Sequence, residues 1–297
     1  MTNSRIGVVV ITHQRRAEAL DAVARLTTLP EQPPVVLVDN GSADGTADAV
    51  RHKFPQVDVL ALPRNAGAVG RNLGVERLRT PYVAFCDDDT WWEPGSLAEA
   101  ADVLDAHPRL GVVNARIVVE PGAGDDPIVA ELRDSPVPGP DWLPGPALGS
   151  FLAGASVVRR EAFRAAGGFS SRLWLGGEEE LLATDLLSAG WELCYLDRLV
   201  VHHAASPARD ATRRRRAGLR NTLWFTWLRR PIVPALRRTA YLAVSVPPDR
   251  TSALAWWDAL RGMPWVLAHR HPRPRSVEAR LAPLDATQRA STARRYV

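Results

Sequence analysis

Short, continuous apolar runs alternate with amphipathic stretches over the first two-thirds of the chain. Residues 6–11, Ile-Gly-Val-Val-Val-Ile, and 35–38, Val-Val-Leu-Val, are apolar throughout, as strands covered on both faces are. Between them, residues 15–29 have helical spacing that stops at Pro30. Gly41 and Asp44-Gly45 mark a turn, Thr46 is placed to cap a helix over about 46–53, and 57–62 predicts a third strand. A loop from Asn65 to Gly70 leads into a helix over about 68–78, and Tyr82-Val83-Ala84-Phe85 begins a fourth strand, over 82–86. Further on, the pattern predicts helices near 95–107, 160–166 and 178–189 and strands near 111–119, 151–158 and 192–201. Residues 120–146, rich in Pro, Gly and Asp, read as a long surface loop that can serve as a lid. There is no internal repeat. The β-α-β-α-β order predicts an α/β fold with a Rossmann-like, mostly parallel sheet flanked by helices.

Composition changes this picture mainly at the C-terminus. The 297 residues are 46% apolar, with two cysteines, Cys86 and Cys194, too few for a disulfide framework and fitting a reducing, cytoplasmic setting. The N-terminal residues run directly into a strand without the pattern of a signal peptide, and no apolar stretch has membrane-spanning length. The net charge of +4 conceals a split: residues 209–297 hold 19 Arg against 5 acidic residues, while 1–208 hold 18 basic and 28 acidic. Five of the ten tryptophans, Trp224, Trp227, Trp256, Trp257 and Trp265, fall in the basic part. The expected organisation is a catalytic domain over 1–208 and a basic, helical extension over 209–297, disordered over about its last 20 residues. Residues 220–231 read as a helix with one apolar and one basic face. That face suits either an anionic membrane surface or packing against the body or a second subunit. No nucleic-acid-binding module is present, and none is expected as a partner.

The acidic clusters carry the chemistry. Asp87, Asp88 and Asp89 follow the fourth strand, where open α/β sheets bind ligands. Three adjacent carboxylates repel one another unless a cation sits among them. Oxygen ligands suit Mg²⁺ or Mn²⁺ bridging to phosphates, and a solvated acidic loop is the competing reading. Asp39 ends the second strand, where it can accept from a base edge or a ribose, or serve a turn. The small residues from Asn65 through Gly67 to Arg71 precede a helix start suited to phosphate. Glu178-Glu179-Glu180 begin a helix, either favoured by its dipole or supplying a general base with a raised pKa. His202-His203 end a strand and are candidate metal ligands. Trp91, Trp92 and Trp174 flank these clusters as acceptor-side candidates or as core residues.

Together these segments resemble the family 2 glycosyltransferases, which have the GT-A fold. The resemblance rests on Val8 to His13, on Val38-Asp39-Asn40-Gly41-Ser42-Ala43-Asp44-Gly45-Thr46, and on Asn65-Ala66-Gly67 with Arg71-Asn72 and Gly74. Phe85-Cys86-Asp87-Asp88-Asp89 continues the match, as do Gly167-Gly168-Phe169, Gly177-Glu178-Glu179 and Ala189-Gly190-Trp191. It covers about residues 5–205 and implies an inverting, metal-dependent transfer from a UDP- or dTDP-sugar to an acceptor hydroxyl. Carried over by position, Thr12, Asp39, Asn65, Gly67, Arg71, Asp87 and Asp88 would bind the donor. Asp39 would meet the base, Asp87 the ribose, and Asp89 the Mn²⁺ or Mg²⁺ ion, with Asp87 close by. Glu179 would be the base, with Glu178 beside it. His202 would be the late metal ligand, with His203 second. Implied partners are the nucleotide sugar and a glycan or lipid-linked acceptor, in a cytoplasmic enzyme peripheral to the inner face of the plasma membrane. Two other readings compete: a phosphoryl or nucleotidyl transferase using the same aspartates, and a non-catalytic scaffold that binds nucleotide sugars or glycans.

Overall fold

β1 (Ile6–Thr12), apolar up to its last residue, lies between two parallel neighbours. The computed structural model describes residues 4–122, 124–204 and 211–290. The first half runs β1, α1 (Arg16–Thr27), β2 (Val35–Asp39), α2 (Thr46–Lys53), β3 (Asp58–Ala61), α3 (Val69–Arg77) and β4 (Tyr82–Asp87). The second half of the body holds β5 (Thr90–Trp92), α4 (Ser96–Ala106), β6 (Leu110–Val119), β7 (Gly124–Asp125) and α5 (Ile128–Arg133). It continues with β8 (Ser156–Arg159), α6 (Arg160–Ala165), α7 (Glu178–Ser188) and β9 (Glu192–His203). The extension is helical: α8 (Ala211–Arg229), α9 (Ile232–Ser245), α10 (Arg250–Ala268), α11 (Arg275–Leu281) and α12 (Leu284–Ala290).

The strand order is β3-β2-β1-β4-β8-β6-β9-β5, with β7 on β6. The β3-β2-β1-β4 half is parallel, as the apolar runs predict. Beyond it the sheet is mixed, because β8 runs antiparallel to both β4 and β6 while β6 and β9 are parallel. Val8, Val9, Val10, Leu37, Val38 and Phe85 are fully buried, and Phe85, Phe163 and Phe169 cluster with centroids 5.5–5.8 Å apart. Parallel register places Thr12 beside Asp39 and Ile11 beside Asp87, so the carboxyl ends of β1, β2 and β4 share one edge.

Three expectations change, and the choice left open for the apolar face of α8 falls to packing against the body. Thr46 is the first residue of α2 rather than its cap. Asp44 accepts from the Thr46 backbone at 3.1 Å, and Gly45 takes the preceding left-handed position. The stretch 120–146 is not one loop: it carries β7 and α5, buries Val129 and Leu132, and is pinned to β9 by Arg133–Asp197 at 2.5 Å. The apolar face of α8 does not face outward. Leu219, Leu223, Trp224, Phe225 and Leu228 form a second core with Leu181 of α7 and Ala255, Ala259 and Val266 of α10. Lastly, much of the end expected to be disordered folds back onto the body. Leu281 joins the main core, and buried Arg230 pairs with Glu278 and Asp285 at 2.8 and 2.7 Å. The expected 208/209 boundary and residues 291–297 lie outside the described residues.

Candidate active site

The carboxyl edge of the parallel half gathers the aspartates. Thr12 Oγ1 donates to Asp88 at 2.8 Å, and the Arg15 guanidinium donates to Asp88 at 2.6 Å and Asp89 at 3.0 Å. Both carboxylates are buried. Burial pushes Asp88 up to about 6, against the pull of Arg15 and Thr12. The cation that adjacent carboxylates require is therefore present as Arg15, a residue the sequence reading missed. Its only signal was a basic residue just after β1.

Asp87 is held by the buried Arg71 of α3. Its carboxylate lies against Gly154, where a Cβ would come within 2.9 Å of Oδ2. Asp39 is buried and accepts from Ser42 N at 3.0 Å. The Asn65 loop is a built turn. Asn65 Oδ1 accepts from Gly67 N at 2.9 Å, and Asn40 accepts from Ala66 N at 3.2 Å. Gly67 has φ +63°, and a Cβ there would lie 2.1 Å from the Trp174 carbonyl, so no other residue fits. That carbonyl accepts from Ala68 N at 2.9 Å. Trp174 thus packs on the Asn65–Gly67 loop, with Arg213 4.3 Å over its ring.

The three glutamates at the start of α7 separate by environment. Glu180 is held by Arg238 at 3.0 Å. Glu178 is buried, and its Oε2 has no hydrogen-bond partner. Glu179 accepts from Ala153 N at 2.6 Å and lines the cleft. Burial and the adjacent Glu178 raise Glu179 to about 7, and burial raises Glu178 in the same direction. All three line the cleft, and Glu179 is the one raised to about 7, a proton affinity suited to a base near neutral pH.

The end of β9 reverses the expected order of the histidines. His202 stacks on Trp91 at 5.4 Å, and its two ring nitrogens meet Glu120, at 2.8 Å, and Glu93. His203 instead faces the site, with Nε2 3.9 Å from Asp89 Oδ1. Trp91 lies between His202 and Arg25, which is 4.0 Å over its ring, and does not line the cleft. Trp92 is fully buried and donates to Phe85 O at 3.3 Å, as a core residue. Neither lines the cleft.

A cleft of about 1110 Å³ opens over these groups. One wall holds Arg71, Asp87, Glu178, Glu179 and His203, and the other is made by α8, α9 and α12. Among the described residues no three-membered cluster of metal-ligating side chains exists. A carboxylate and an imidazole, Asp89 and His203, do converge. A divalent ion completed by substrate phosphates and water needs few protein ligands, and the oxygen–nitrogen pair suits Mn²⁺. The residues present therefore fit such an ion.

A mixed sheet with carboxylates at the carboxyl edge of its parallel half, sharing a cleft with a glutamate, defines a glycosyltransferase of the GT-A type that uses a nucleotide sugar. The sequence model of glycosyl transferase family 2 matches residues 7–165, and the chain belongs to that family. It is 29% identical over 271 residues to the N-acetylglucosaminyl-diphospho-decaprenol L-rhamnosyltransferase of Mycobacterium tuberculosis, covering 77% of this chain and 88% of that protein. The pre-mycofactocin glycosyltransferase of the same organism is 31% identical over 221 residues, 68% of this chain and 43% of that protein. In fold the chain is similar to the Pyrobaculum calidifontis mannosyltransferase in complex with GDP-Man and Mn²⁺, with TM-score 0.60, 20% identity and coverage of 98% and 82%. It also resembles residues 1–349 of S. aureus TarS in complex with UDP-GlcNAc, with TM-score 0.60, 16% identity and coverage of 98% and 89%.

Proposed function

We propose that this enzyme transfers a sugar, with inversion, from a UDP- or dTDP-sugar to a hydroxyl of a lipid-linked or cell-wall glycan. The observation that carries the reading is Glu179, poised at about 7 in the same cleft as Asp87 and His203. Glu179 takes the proton of the acceptor hydroxyl. The oxygen attacks the anomeric carbon from the face opposite the leaving group, and the bond to the diphosphate oxygen breaks. Closing the cleft over the sugar keeps water from taking the acceptor's place. Asp39 meets the base, Asp87 the ribose, and Arg71 fixes Asp87. Thr12 and Asp88, hydrogen-bonded to each other at the same sheet edge, and the Asn65–Gly67 turn complete the proposed donor side. Asp89 and His203 would hold Mn²⁺ or Mg²⁺, which when bound offsets charge on the leaving diphosphate.

The relatives support donor and acceptor class. Two fold neighbours hold a nucleotide sugar, one of them with Mn²⁺, and the rhamnosyltransferase is named for a diphospho-decaprenol acceptor. No helix among the described residues is long and apolar enough to cross a membrane. Ile232, Val233, Leu236 and Val244 of α9 are exposed beside a strongly basic extension, which supports peripheral attachment to the inner membrane face.

Calorimetric titration of UDP, dTDP and GDP, each with and without Mn²⁺, tests the reading. UDP or dTDP should bind more tightly with Mn²⁺, and Asp89→Asn should abolish that gain. Metal-independent binding, or none, would overturn it.

A further inference from the structure

We propose that Arg214, Arg237 and Arg289 form a cradle for the diphosphate of a lipid-diphosphate-linked acceptor. The inference rests on the lipid-linked acceptor proposed above and assigns its anionic group to named residues.

The three arginines come from three different helices, α8, α9 and α12, and line one cleft together with Glu179. All three are exposed. None is in an ion pair among the described residues. The neighbouring arginines differ: Arg215 is held by Asp249, Arg238 by Glu180, and Arg230 by Glu278 and Asp285. The fold therefore consumes some of the extension's positive charge internally and leaves these three cations on the cleft wall. Guanidinium groups free of ion pairs, Arg289 resting 5.2 Å over the Tyr241 ring, converge on one cavity and favour a polyanion with fork-matching oxygens, such as a phosphate ester.

The surroundings indicate what is attached to that anion. Pro234, Tyr241, Leu242, Val246 and Pro247 line the same cleft beside the arginines, giving it an apolar margin. On the outside of α9, Ile232, Val233, Leu236 and Val244 are exposed, continuing apolar surface away from the cleft. Hydroxyl at Glu179, anion at the arginines and hydrocarbon at α9 follow the order of groups in a sugar joined through diphosphate to a lipid. A soluble glycan would use neither the cations nor the apolar margin.

The test uses the full chain and farnesyl diphosphate as probe, with farnesol, inorganic diphosphate and phosphatidylglycerol vesicles as comparisons. Wild type should bind farnesyl diphosphate more tightly than either farnesol or inorganic diphosphate. The Arg214→Ala/Arg237→Ala/Arg289→Ala variant should bind it about tenfold or more weakly. UDP binding with Mn²⁺ and the thermal midpoint should stay within error, since the three side chains are exposed. Equal binding of farnesyl diphosphate by variant and wild type would overturn the proposal. So would loss of UDP binding in the variant, which would assign the arginines to the donor. Full displacement of the probe by phosphatidylglycerol vesicles would also overturn it, assigning them to the membrane surface at large. Failure of UDP to bind wild type with Mn²⁺ would instead sink the donor reading, a separately visible result.

Discussion

The side-chain nitrogen of Asn221 lies 2.6 Å from the carbonyl oxygen of Gly176, two residues before Glu178. The same nitrogen reaches Leu173 O at 2.6 Å and Leu175 O at 3.0 Å, and Asn221 is fully buried. A residue of the extension thus fixes the loop that delivers the α7 glutamates. Its oxygen is occupied by Arg220 Nε at 2.9 Å, which sets the amide orientation. Replacement by Ala leaves the part-buried Leu175 and Gly176 carbonyls short of this donor, while Leu173 O keeps Leu175 N and Arg220, at a cost of about 1–3 kcal/mol. The expected result for Asn221→Ala is a lower thermal midpoint and a kcat reduced by about tenfold or more, because Glu179 loses its register. UDP affinity should change little. An unchanged kcat with a lowered midpoint would show that Asn221 only supports the fold.

With Glu179 as the proposed base, it and Glu178 should set the pH dependence. A protonated Glu179 cannot accept the acceptor's proton, so kcat/KM should rise with pH through about 7 and then level off. Glu178 helps to raise Glu179 by like charge. In Glu178→Gln the acid limb should therefore move to lower pH. Stability runs the other way. Both groups hold their protons more tightly folded than unfolded, so stability falls as pH rises above their ordinary value of 4.5, for Glu179 until about 7. Denaturant midpoints of Glu178→Gln should depend less on pH across that window than those of wild type. An acid limb that stays in place in the variant would argue against the charge coupling.

The parallel half of the sheet was legible because strands covered on both faces are apolar throughout, as in residues 6–11 and 35–38. The aspartates were legible because they end such strands. The direction of β8 was not, since a four-residue strand with only Val157 and Val158 apolar looks alike in either orientation. The choice between His202 and His203 turns on a one-residue alternation. The pairing of β6 with β9 slips between Ala115/Leu196 and Arg116/Val200, so counting along β9 cannot show which imidazole faces in. Trp91 and Trp92 divide by the same alternation, one outside and one in the core. Arg15 was missed because its role depends on β1 and β4 lying side by side, and a single basic residue after a strand carries no such information. The apolar face of α8 was visible, but its partner, α10, lies some thirty residues further on, and periodicity does not identify partners.

Arg15 offsets two buried carboxylates, and removing it should expose their repulsion. Breaking a largely buried ion pair typically costs about 3–5 kcal/mol, and the partial exposure of Arg15 places the expected loss for Arg15→Ala at the low end, about 3 kcal/mol at pH 8. Asp88 takes up a proton near pH 6 in wild type, and without Arg15 it should do so at higher pH. The deficit should therefore shrink toward pH 5. Mn²⁺ should raise the thermal midpoint of Arg15→Ala more than that of wild type, because the ion replaces the missing charge. Equal Mn²⁺ effects on the two proteins would show that the ion does not bind beside Asp88 and Asp89.

The two histidines offer the sharpest separation of neighbouring side chains. His203 faces Asp89, whereas His202 is occupied by Glu93, Glu120 and Trp91. If Asp89 and His203 hold the ion, His203→Ala should reduce the Mn²⁺-dependent part of UDP binding by about tenfold to a hundredfold and leave metal-free binding alone. His202→Ala removes two hydrogen bonds and a stacked ring outside the cleft. It should lower the thermal midpoint while sparing the Mn²⁺ dependence. The measurement is UDP titration at several fixed Mn²⁺ concentrations for wild type and both variants. A reversed result, with His202→Ala losing the metal dependence and His203→Ala keeping it, would require the end of β9 to shift by one residue when the donor binds. The Ala204 N to Asp89 O hydrogen bond at 2.9 Å holds the observed register against that shift. It also ties the backbone just after His203 to the strand end that carries Asp89, so that the imidazole and the carboxylate stay paired as the nucleotide enters.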